Sequence, residues 1–258
     1  MISKIKKLKS KKNKSKIICL TAYSKNVAEV IDQYSDIILI GDSLGSVLYN
    51  YNSTRKVTLN MMIEHSKSAK LGIRKSLMVV DMPYKTYRNK SEALKNAKKI
   101  IKLTKCDAVK LEGGIKISKI IEHLIKNRIQ VMGHLGVLPQ SIRGNFKSKG
   151  KNEKEKKQLL KDAKLLEELG VFAIVLECVK SSVASLITKS IKIPTIGIGS
   201  SVNCDGQVLV TDDLLGLNET KIKFVKKFAD LKKTINLGIK KFKKEVKLKK
   251  YPSKKYSY

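Results

Sequence analysis

Residues 36–42, DIILIGD, form a short apolar run rich in isoleucine that ends in a glycine and an acid. Runs of the same kind recur along the chain. They are KIICLTAY at 16–23, SLMVVDMP at 76–83, DAVKLEG at 107–113, IQVMGHLG at 129–136, VFAIVLECV at 171–179, IPTIGIGS at 193–200 and GQVLVTDDL at 206–214. These runs are apolar almost throughout, which is typical of parallel strands buried on both faces. The sequence therefore predicts a parallel sheet of eight strands.

Amphipathic segments with helical spacing separate most of these runs. They cover residues 59–71, 91–103, 115–126, 153–169 and 181–189. Several end at a residue that favours helix termination, namely Gly72, Asn127 and Gly170. Alternating strands and helices require right-handed crossovers. Eight such units in roughly 200 residues predict a (β/α)8 TIM barrel, with a doubly wound open sheet as the alternative.

The chain has 258 residues and a formal charge of +33, and much of this charge lies at its ends. Residues 1–16 carry +8 and residues 221–258 carry +13, all of it from lysine. A basic excess can indicate a nucleic-acid partner, but arginine is the usual choice for phosphate and base recognition. Lysine is also favoured by A/T-rich codons, so mutational drift is the other explanation. The aromatic content of 5% with no tryptophan speaks against base stacking.

The absence of a proline- or glycine-rich linker predicts one domain over residues 1–258. Within it we expect a basic N-terminal extension over 1–16, outside the barrel, and a basic C-terminal helix and tail over 221–258. The helix is predicted over about 222–249. Its apolar positions recur every three or four residues and are Phe224, Phe228, Leu231, Ile235 and Ile239.

The four cysteines are far apart, and none forms a CxxC pair. This spacing is typical of a reducing compartment and predicts neither a disulfide framework nor a zinc site. No apolar run has the length of a membrane span, and no signal-peptide core follows the basic start. The expected location is the cytoplasm, with no membrane partner.

Five consecutive predicted strands end in an ionisable residue. These residues are Asp42, Asp81, Glu112, His134 and Glu177. Each of them alone could mark the point where a strand leaves the core for solvent. In parallel α/β proteins, however, the carboxyl ends of the strands meet at one end of the sheet, where the functional site forms. We therefore expect the five side chains to lie together.

Three of these residues supply hard oxygen ligands, namely Asp42, Asp81 and Glu112. An oxygen-only ligand set suits Mg²⁺, with water or substrate completing the octahedron. Lys110 shares a strand face with Glu112, so it could hold a substrate carboxylate or form a plain ion pair with that glutamate. Ser43 follows Asp42 at a turn, where it could bind a substrate or cap a helix.

Glu177 and His134 are the candidates for acid–base chemistry. Glu177 follows the apolar run VFAIVL, and such surroundings favour the proton-accepting behaviour of a general base. His134 lies between Gly133 and Leu135 and could hydrogen-bond a carbonyl or a developing enolate. A buried histidine with ordinary core partners is the alternative.

The motifs together resemble the ketopantoate hydroxymethyltransferase family. They are TAYS, ILIGDSLGSV, NSTRKVTL, VVDMPY, VKLEGG, GHLGVLPQS, VLECV, PTIGIGS and DGQVLV, in this order over about residues 17–217. The resemblance implies a (β/α)8 barrel of the phosphoenolpyruvate-binding type, assembled as a homo-oligomer, in this family a decamer. It also implies transfer of a hydroxymethyl group from 5,10-methylenetetrahydrofolate to 3-methyl-2-oxobutanoate, a step toward pantothenate.

The resemblance also implies roles for individual residues. Asp42, Asp81 and Glu112 match the Mg²⁺ positions. Asp42, Ser43, Asp81 and Lys110 match positions at the keto acid. Glu177 matches the proton acceptor, and His134 matches a histidine of the site.

Three features depart from the family pattern. Ser24 follows TAY where the family often has an acid, and Ser200 stands in GIGSS where alanine is usual. The stretch over 144–150, GNFKSKG, replaces a longer glycine-rich loop. If this loop closes over the site, its shortening would slow turnover.

Two other functions are considered. A carbon–carbon lyase of the isocitrate-lyase kind would need a reactive cysteine in a basic loop, and Cys178 is the one cysteine at a predicted strand end. A basic nucleic-acid-binding protein would show salt-dependent retention of DNA or RNA.

Overall fold

A computed structural model describes residues 3–141, 147–219 and 222–258. The chain divides into two compact units, residues 1–210 and residues 211–258. The first contains the predicted strands. The second contains the lysine-rich C-terminal region.

The first unit is a closed barrel of eight parallel strands in sequence order. The strands are β1 Ile17–Thr21, β2 Ile37–Ile40, β3 Leu77–Asp81, β4 Ala108–Glu112, β5 Val131–Gly136, β6 Ala173–Glu177, β7 Thr195–Ile198 and β8 Gly206–Leu209. β1 pairs with β8 through the register Ile17↔Gly206, which closes the sheet on itself. The predicted TIM barrel is therefore confirmed, and the open sheet is excluded.

Helices follow the strands around the barrel. They are α1 Lys4–Lys9, α2 Lys25–Ile31, α3 Leu44–Tyr49, α4 Leu59–Lys70, α5 Lys90–Thr104, α6 Ser118–Lys126, α7 Glu153–Glu168 and α8 Ser181–Ser190. Side chains of Thr58, Asn89 and Asn152 cap α4, α5 and α7 by accepting a backbone N–H of the first turn. The helix predicted from residue 115 begins with a separate 3₁₀ turn, Ile115–Ile117.

Both faces of β2, β3 and β4 are buried throughout, which explains their continuous apolar sequence, whereas Ile18 in β1 and Gln207 in β8 are exposed. In β2, Ile38 and Ile40 pack toward the helices, whereas Ile37 and Leu39 belong to a second cluster inside the barrel. The inner cluster lies toward the amino ends of the strands and includes Phe172. Polar side chains lie instead at the carboxyl ends of the strands.

The N-terminal segment is part of the barrel, so the expectation of a basic extension outside it was wrong. Leu8 of α1 is buried in the inner cluster. Lysines of this segment reach acids that stand just before strands: Lys11 Nζ lies 2.5 Å from Asp36 Oδ1, and Lys12 Nζ lies 2.7 Å from Asp205 Oδ2. Part of the terminal charge is therefore structural.

The second unit contains a short helix, α9 Thr211–Leu214, and a long one, α10 Leu231–Lys247. The helix predicted over 222–249 is thus shorter, and Phe224 and Phe228 lie outside it. The cause is local: the N–H groups of Phe228 and Leu231 donate to carbonyls of Leu214 and Leu215, at 2.8 Å each. The Asp230 side chain then caps α10 by accepting from Lys233 N.

Within the part of the chain that the structure describes, no helix is both long and apolar enough to cross a membrane.

Replacing Lys12 with methionine should destabilise the barrel. Lys12 Nζ donates to Asp205 Oδ2 and to Thr188 O, both at 2.7 Å, and both side chains of the pair are buried. Loss of the ammonium leaves a buried carboxylate without its counter-charge, which costs about 3 kcal/mol. Denaturant unfolding measures the change. Lys14→Met, at an exposed neighbouring lysine, is the control, and equal stabilities of the two variants would contradict the assignment.

Candidate active site

The carboxyl ends of β2 to β6 bring the predicted residues together. Asp81 and Glu177 are the last residues of β3 and β6, while Asp42 stands two residues beyond β2. The register pairs Asp81 with Lys110 and Glu112 with His134. Neighbouring strands therefore place oppositely charged and hydrogen-bonding groups side by side, as the strand-end pattern predicted.

Lys110 forms its ion pair with Asp81, not with the neighbouring Glu112 that the sequence suggested. Its Nζ lies 3.0 Å from Asp81 Oδ1, and both side chains are almost completely buried. Burial acts against the charged form of Lys110, but Asp81, Glu112 and Asp42 outweigh it and raise its pKa. The ammonium is therefore permanent, and it is well placed to attract an anionic substrate.

The carboxylates at this end carry more negative charge than Lys110 neutralises. Burial, followed by the charges of Asp81 and Glu112, raises the pKa of Asp42 to about 8. Burial also raises the pKa of Asp81, although Lys110 acts against the shift. Like charges in a low-dielectric site raise each other's pKa in this way. Without a further cation, a proton on Asp42 reduces the excess negative charge of the site.

The donor set fits a hard divalent cation that substrate and water would help to hold. Asp42, Asp81 and Glu112 offer oxygens only, and the buried Asp81 Oδ1 has no aligned hydrogen bond. In the described ranges, however, no three side chains stand close enough to form a ready-made metal cage.

His134 is buried between two carboxylates of the site, not among the ordinary partners of a core histidine. Its Nδ1 lies 3.5 Å from Glu112 Oε1, and its Nε2 lies 3.2 Å from Glu177 Oε2. The second contact is ionic and too bent for a hydrogen bond. Burial and Lys110 act to lower the pKa of His134, but the two glutamates outweigh them and raise it to about 9. The Nδ1 atom also lies 3.4 Å from Lys110 Nζ, so two carboxylates and an ammonium surround the imidazole.

Glu177 lies at the edge of the buried cluster, so its surroundings are less apolar than the sequence suggested. Its side chain keeps 19% of its surface exposed and contacts His134. The next residue, Cys178, has a positive φ of 48°. Ser200 spans this turn, since its hydroxyl donates to Leu176 O at 2.7 Å and accepts from Val179 N at 3.0 Å. The departure at Ser200 therefore supports the backbone that carries Glu177.

Ser43 occupies the N-cap position of α3 without capping it. Its hydroxyl instead pairs with the Tyr23 hydroxyl at 2.8 Å, so the helix-cap alternative is not observed. Ser24 stands at the N-cap position of α2 and likewise makes no side-chain cap. Neither serine side chain therefore caps a helix.

Two residues that the sequence analysis did not single out belong to this site, Gln140 and Tyr87. Gln140 is buried, and its Nε2 donates to Asp42 Oδ2 at 2.8 Å. The Tyr87 hydroxyl donates to Gln140 Oε1 at 2.5 Å. Gln140 was visible as a polar residue in GHLGVLPQS, but nothing in its local sequence indicated that it reaches another strand.

The shortened loop lies only partly within the described residues. Of the stretch 144–150, residues 144–146 lie outside the described ranges. The described part of this stretch is hydrogen-bonded to the turn after β6. Lys149 N donates to Cys178 O at 2.9 Å, and Lys180 N donates to Lys149 O at 2.8 Å.

Solved structures with the same architecture support the barrel assignment. A phosphonopyruvate hydrolase, solved with oxalate and Mg²⁺, matches with a TM-score of 0.62 at 11% identity, over 99% of this chain and 93% of that chain. A 2,3-dimethylmalate lyase of the PEP mutase/isocitrate lyase superfamily also matches with a TM-score of 0.62 at 11% identity, over 100% of this chain and 89% of that chain. At such identities the likeness concerns the fold alone.

Sequence relatives are much closer. A 3-methyl-2-oxobutanoate hydroxymethyltransferase of Pelagibacter ubique is 65% identical over 258 residues, which is the full length of both chains. One from Anaplasma marginale is 43% identical over 100% of this chain and 94% of its own length. The family model described as ketopantoate hydroxymethyltransferase matches residues 2–254. The chain therefore belongs to the ketopantoate hydroxymethyltransferase family.

Proposed function

We propose that this enzyme transfers a hydroxymethyl group from 5,10-methylenetetrahydrofolate to 3-methyl-2-oxobutanoate. One water is consumed, and the products are 2-dehydropantoate and tetrahydrofolate. The single observation that carries the proposal is the buried cluster at the barrel end, in which Asp42, Asp81 and Glu112 stand beside Lys110 and a Glu177–His134 pair. It combines charges for an anionic keto acid with a base for its C3 proton.

Asp42, Asp81 and Glu112 are the residues that would hold Mg²⁺. When bound, the ion would favour negative charge on the 2-keto oxygen and so make the C3–H bond more acidic. Lys110 and Ser43 would orient the keto acid, Lys110 through its permanent ammonium and Ser43 through a hydroxyl that no helix cap uses. Orientation of this kind brings C3 to the base and lowers the entropic part of the barrier.

Glu177 would accept the C3 proton of the keto acid, leaving an enolate. The enolate carbon would then form a C–C bond to the methylene carbon that folate delivers. Water would replace the folate nitrogen on that carbon, which gives the hydroxymethyl group and releases tetrahydrofolate. His134 faces Glu112 and Glu177 with its two nitrogens. We therefore assign His134 first to orienting Glu177, rather than to the direct enolate contact expected from the sequence.

The partners and location of the enzyme are part of the same proposal. A small keto acid and a reduced folate are the ligands, and a homo-oligomer, the decamer of the family, is the expected assembly. The expected compartment is the cytoplasm. All four cysteines lie in the described ranges and are free thiols, which agrees with a reducing environment.

The lyase alternative receives no support from its one candidate cysteine. Burial, followed by the charge of Glu177, raises the pKa of Cys178 to about 11. The reactive thiolate is therefore disfavoured at neutral pH.

An exchange experiment tests the proposal. Proton NMR of 3-methyl-2-oxobutanoate in D₂O, with enzyme and Mg²⁺, should show loss of the C3 proton signal, and adding 5,10-methylenetetrahydrofolate should yield 2-dehydropantoate. Neither exchange nor product, from folded enzyme, would overturn the function.

Replacing Glu177 with glutamine should abolish most activity without unfolding the protein. The amide keeps the shape of the side chain but cannot accept the C3 proton, so kcat should fall by more than about 10²-fold. Steady-state kinetics and a thermal melt measure both properties. Glu168→Gln, at an exposed position on α7, is the matched control. Turnover within a few-fold of the unmodified enzyme would remove Glu177 from this role.

Removal of divalent cations should stop the reaction reversibly. The buried carboxylates lack a counter-charge without the ion, and the keto oxygen loses its electrostatic stabilisation. Activity measured after dialysis against EDTA should vanish and return on titration with Mg²⁺. Full activity in excess chelator would contradict the metal assignment.

A further inference from the structure

Gln140 connects the chain that follows β5 to the ends of three other strands. It is buried. Its backbone N–H donates to Glu112 Oε2 at 3.0 Å, and its Nε2 donates to Asp42 Oδ2 at 2.8 Å and to Met82 O at 3.0 Å. The partners belong to the ends of β4, β2 and β3. One residue thus contacts two of the three carboxylates assigned to the metal.

The orientation of the Gln140 amide is determined by its neighbours. Tyr87 donates its hydroxyl to Oε1, so this atom is the acceptor, and Nε2 is left with its two hydrogens for Asp42 and Met82. Burial, followed by the charge of Glu112, raises the pKa of Tyr87. The hydroxyl therefore keeps its proton, and every donor and acceptor of the amide is used.

The contacts with Gln140 use only one oxygen of each carboxylate, and the other oxygen of Glu112 faces His134 Nδ1 at 3.5 Å. Gln140 bonds one oxygen of Asp42 and one oxygen of Glu112. A carboxylate held by one oxygen cannot rotate freely, so its other oxygen faces a defined direction. Replacing a partner that holds a metal ligand in this way typically costs about 10- to 100-fold in metal affinity.

We propose that Gln140 is a positioning residue, which orients Asp42 and Glu112 for a divalent cation and is itself oriented by Tyr87. The proposal rests on the magnesium site of the proposed function. Gln140 has no role in the proton transfer. Its effect is on how tightly the cation binds, and the effect on turnover follows from that.

The test measures metal binding directly, on the full-length protein stripped of metal. Mn²⁺ is the probe, because its free form has an EPR signal that weakens on binding. Gln140→Met keeps the length of the side chain but removes its donors and acceptor, and it should raise the Mn²⁺ dissociation constant by about 10- to 100-fold. Tyr87→Phe removes one hydroxyl and should shift it in the same direction by a smaller factor.

Further measurements separate positioning from simple stability. Gln158→Met, at an exposed glutamine on α7, should bind Mn²⁺ like the unmodified protein. Thermal melts in EDTA report folding of each variant without metal. In steady-state kinetics, Gln140→Met should need more Mg²⁺ for half-maximal rate and regain most of its kcat at saturating Mg²⁺, a pattern that a merely destabilised enzyme does not show.

The outcomes distinguish the two proposals. If the unmodified protein does not bind Mn²⁺, the magnesium site fails, and the role of Gln140 fails with it. If the unmodified protein binds Mn²⁺ and folded Gln140→Met binds it equally well, only the role of Gln140 is overturned. Should Gln140→Met not fold, Tyr87→Phe decides: an unchanged Mn²⁺ affinity overturns the proposal, and a weakened one supports it.

Discussion

Burial of several carboxylates around one ammonium is the constraint on which this active site depends. Asp42, Asp81 and Glu112 lie at the end of the barrel with Lys110 among them, and burial, followed by repulsion from the other two carboxylates, raises the pKa of Asp42 to about 8. Such a cluster is unstable unless a proton, a cation or a hydrogen-bond donor compensates each charge. In the proposed function, this need for positive charge is what would attract a divalent cation and an anionic keto acid to the site.

The neighbouring structure meets this demand with donors drawn from several strands. Gln140 gives two hydrogen bonds to the carboxylates, and the His134 ring lies between Glu112 and Glu177. Ser200 secures the turn after Glu177. The barrel achieves this because its parallel strands all end on one side, so that side chains distant in sequence become neighbours.

The fold could be predicted because its signals are local. A run such as DIILIGD needs no knowledge of the rest of the chain to be recognised as a buried parallel strand, and eight of them with helices between allow few architectures. The structure of the terminal regions was harder to predict from the sequence. Leu8 is buried inside the barrel by strands that lie far along the chain, and Phe228 is outside α10 because its N–H donates to the nearby Leu214 carbonyl. Helical periodicity registers neither contact.

The sequence by itself determined the barrel, the family and the residues at the strand ends, because each follows from the order of residues within a short segment. Only the tertiary structure decided which groups pair. Lys110 binds Asp81 rather than Glu112 two residues away, Gln140 reaches Asp42 across 98 positions, and Lys12 reaches Asp205 across 193. Hydrogen bonds and ion pairs depend on distances of a few ångströms in space, and closure of the barrel sets those distances.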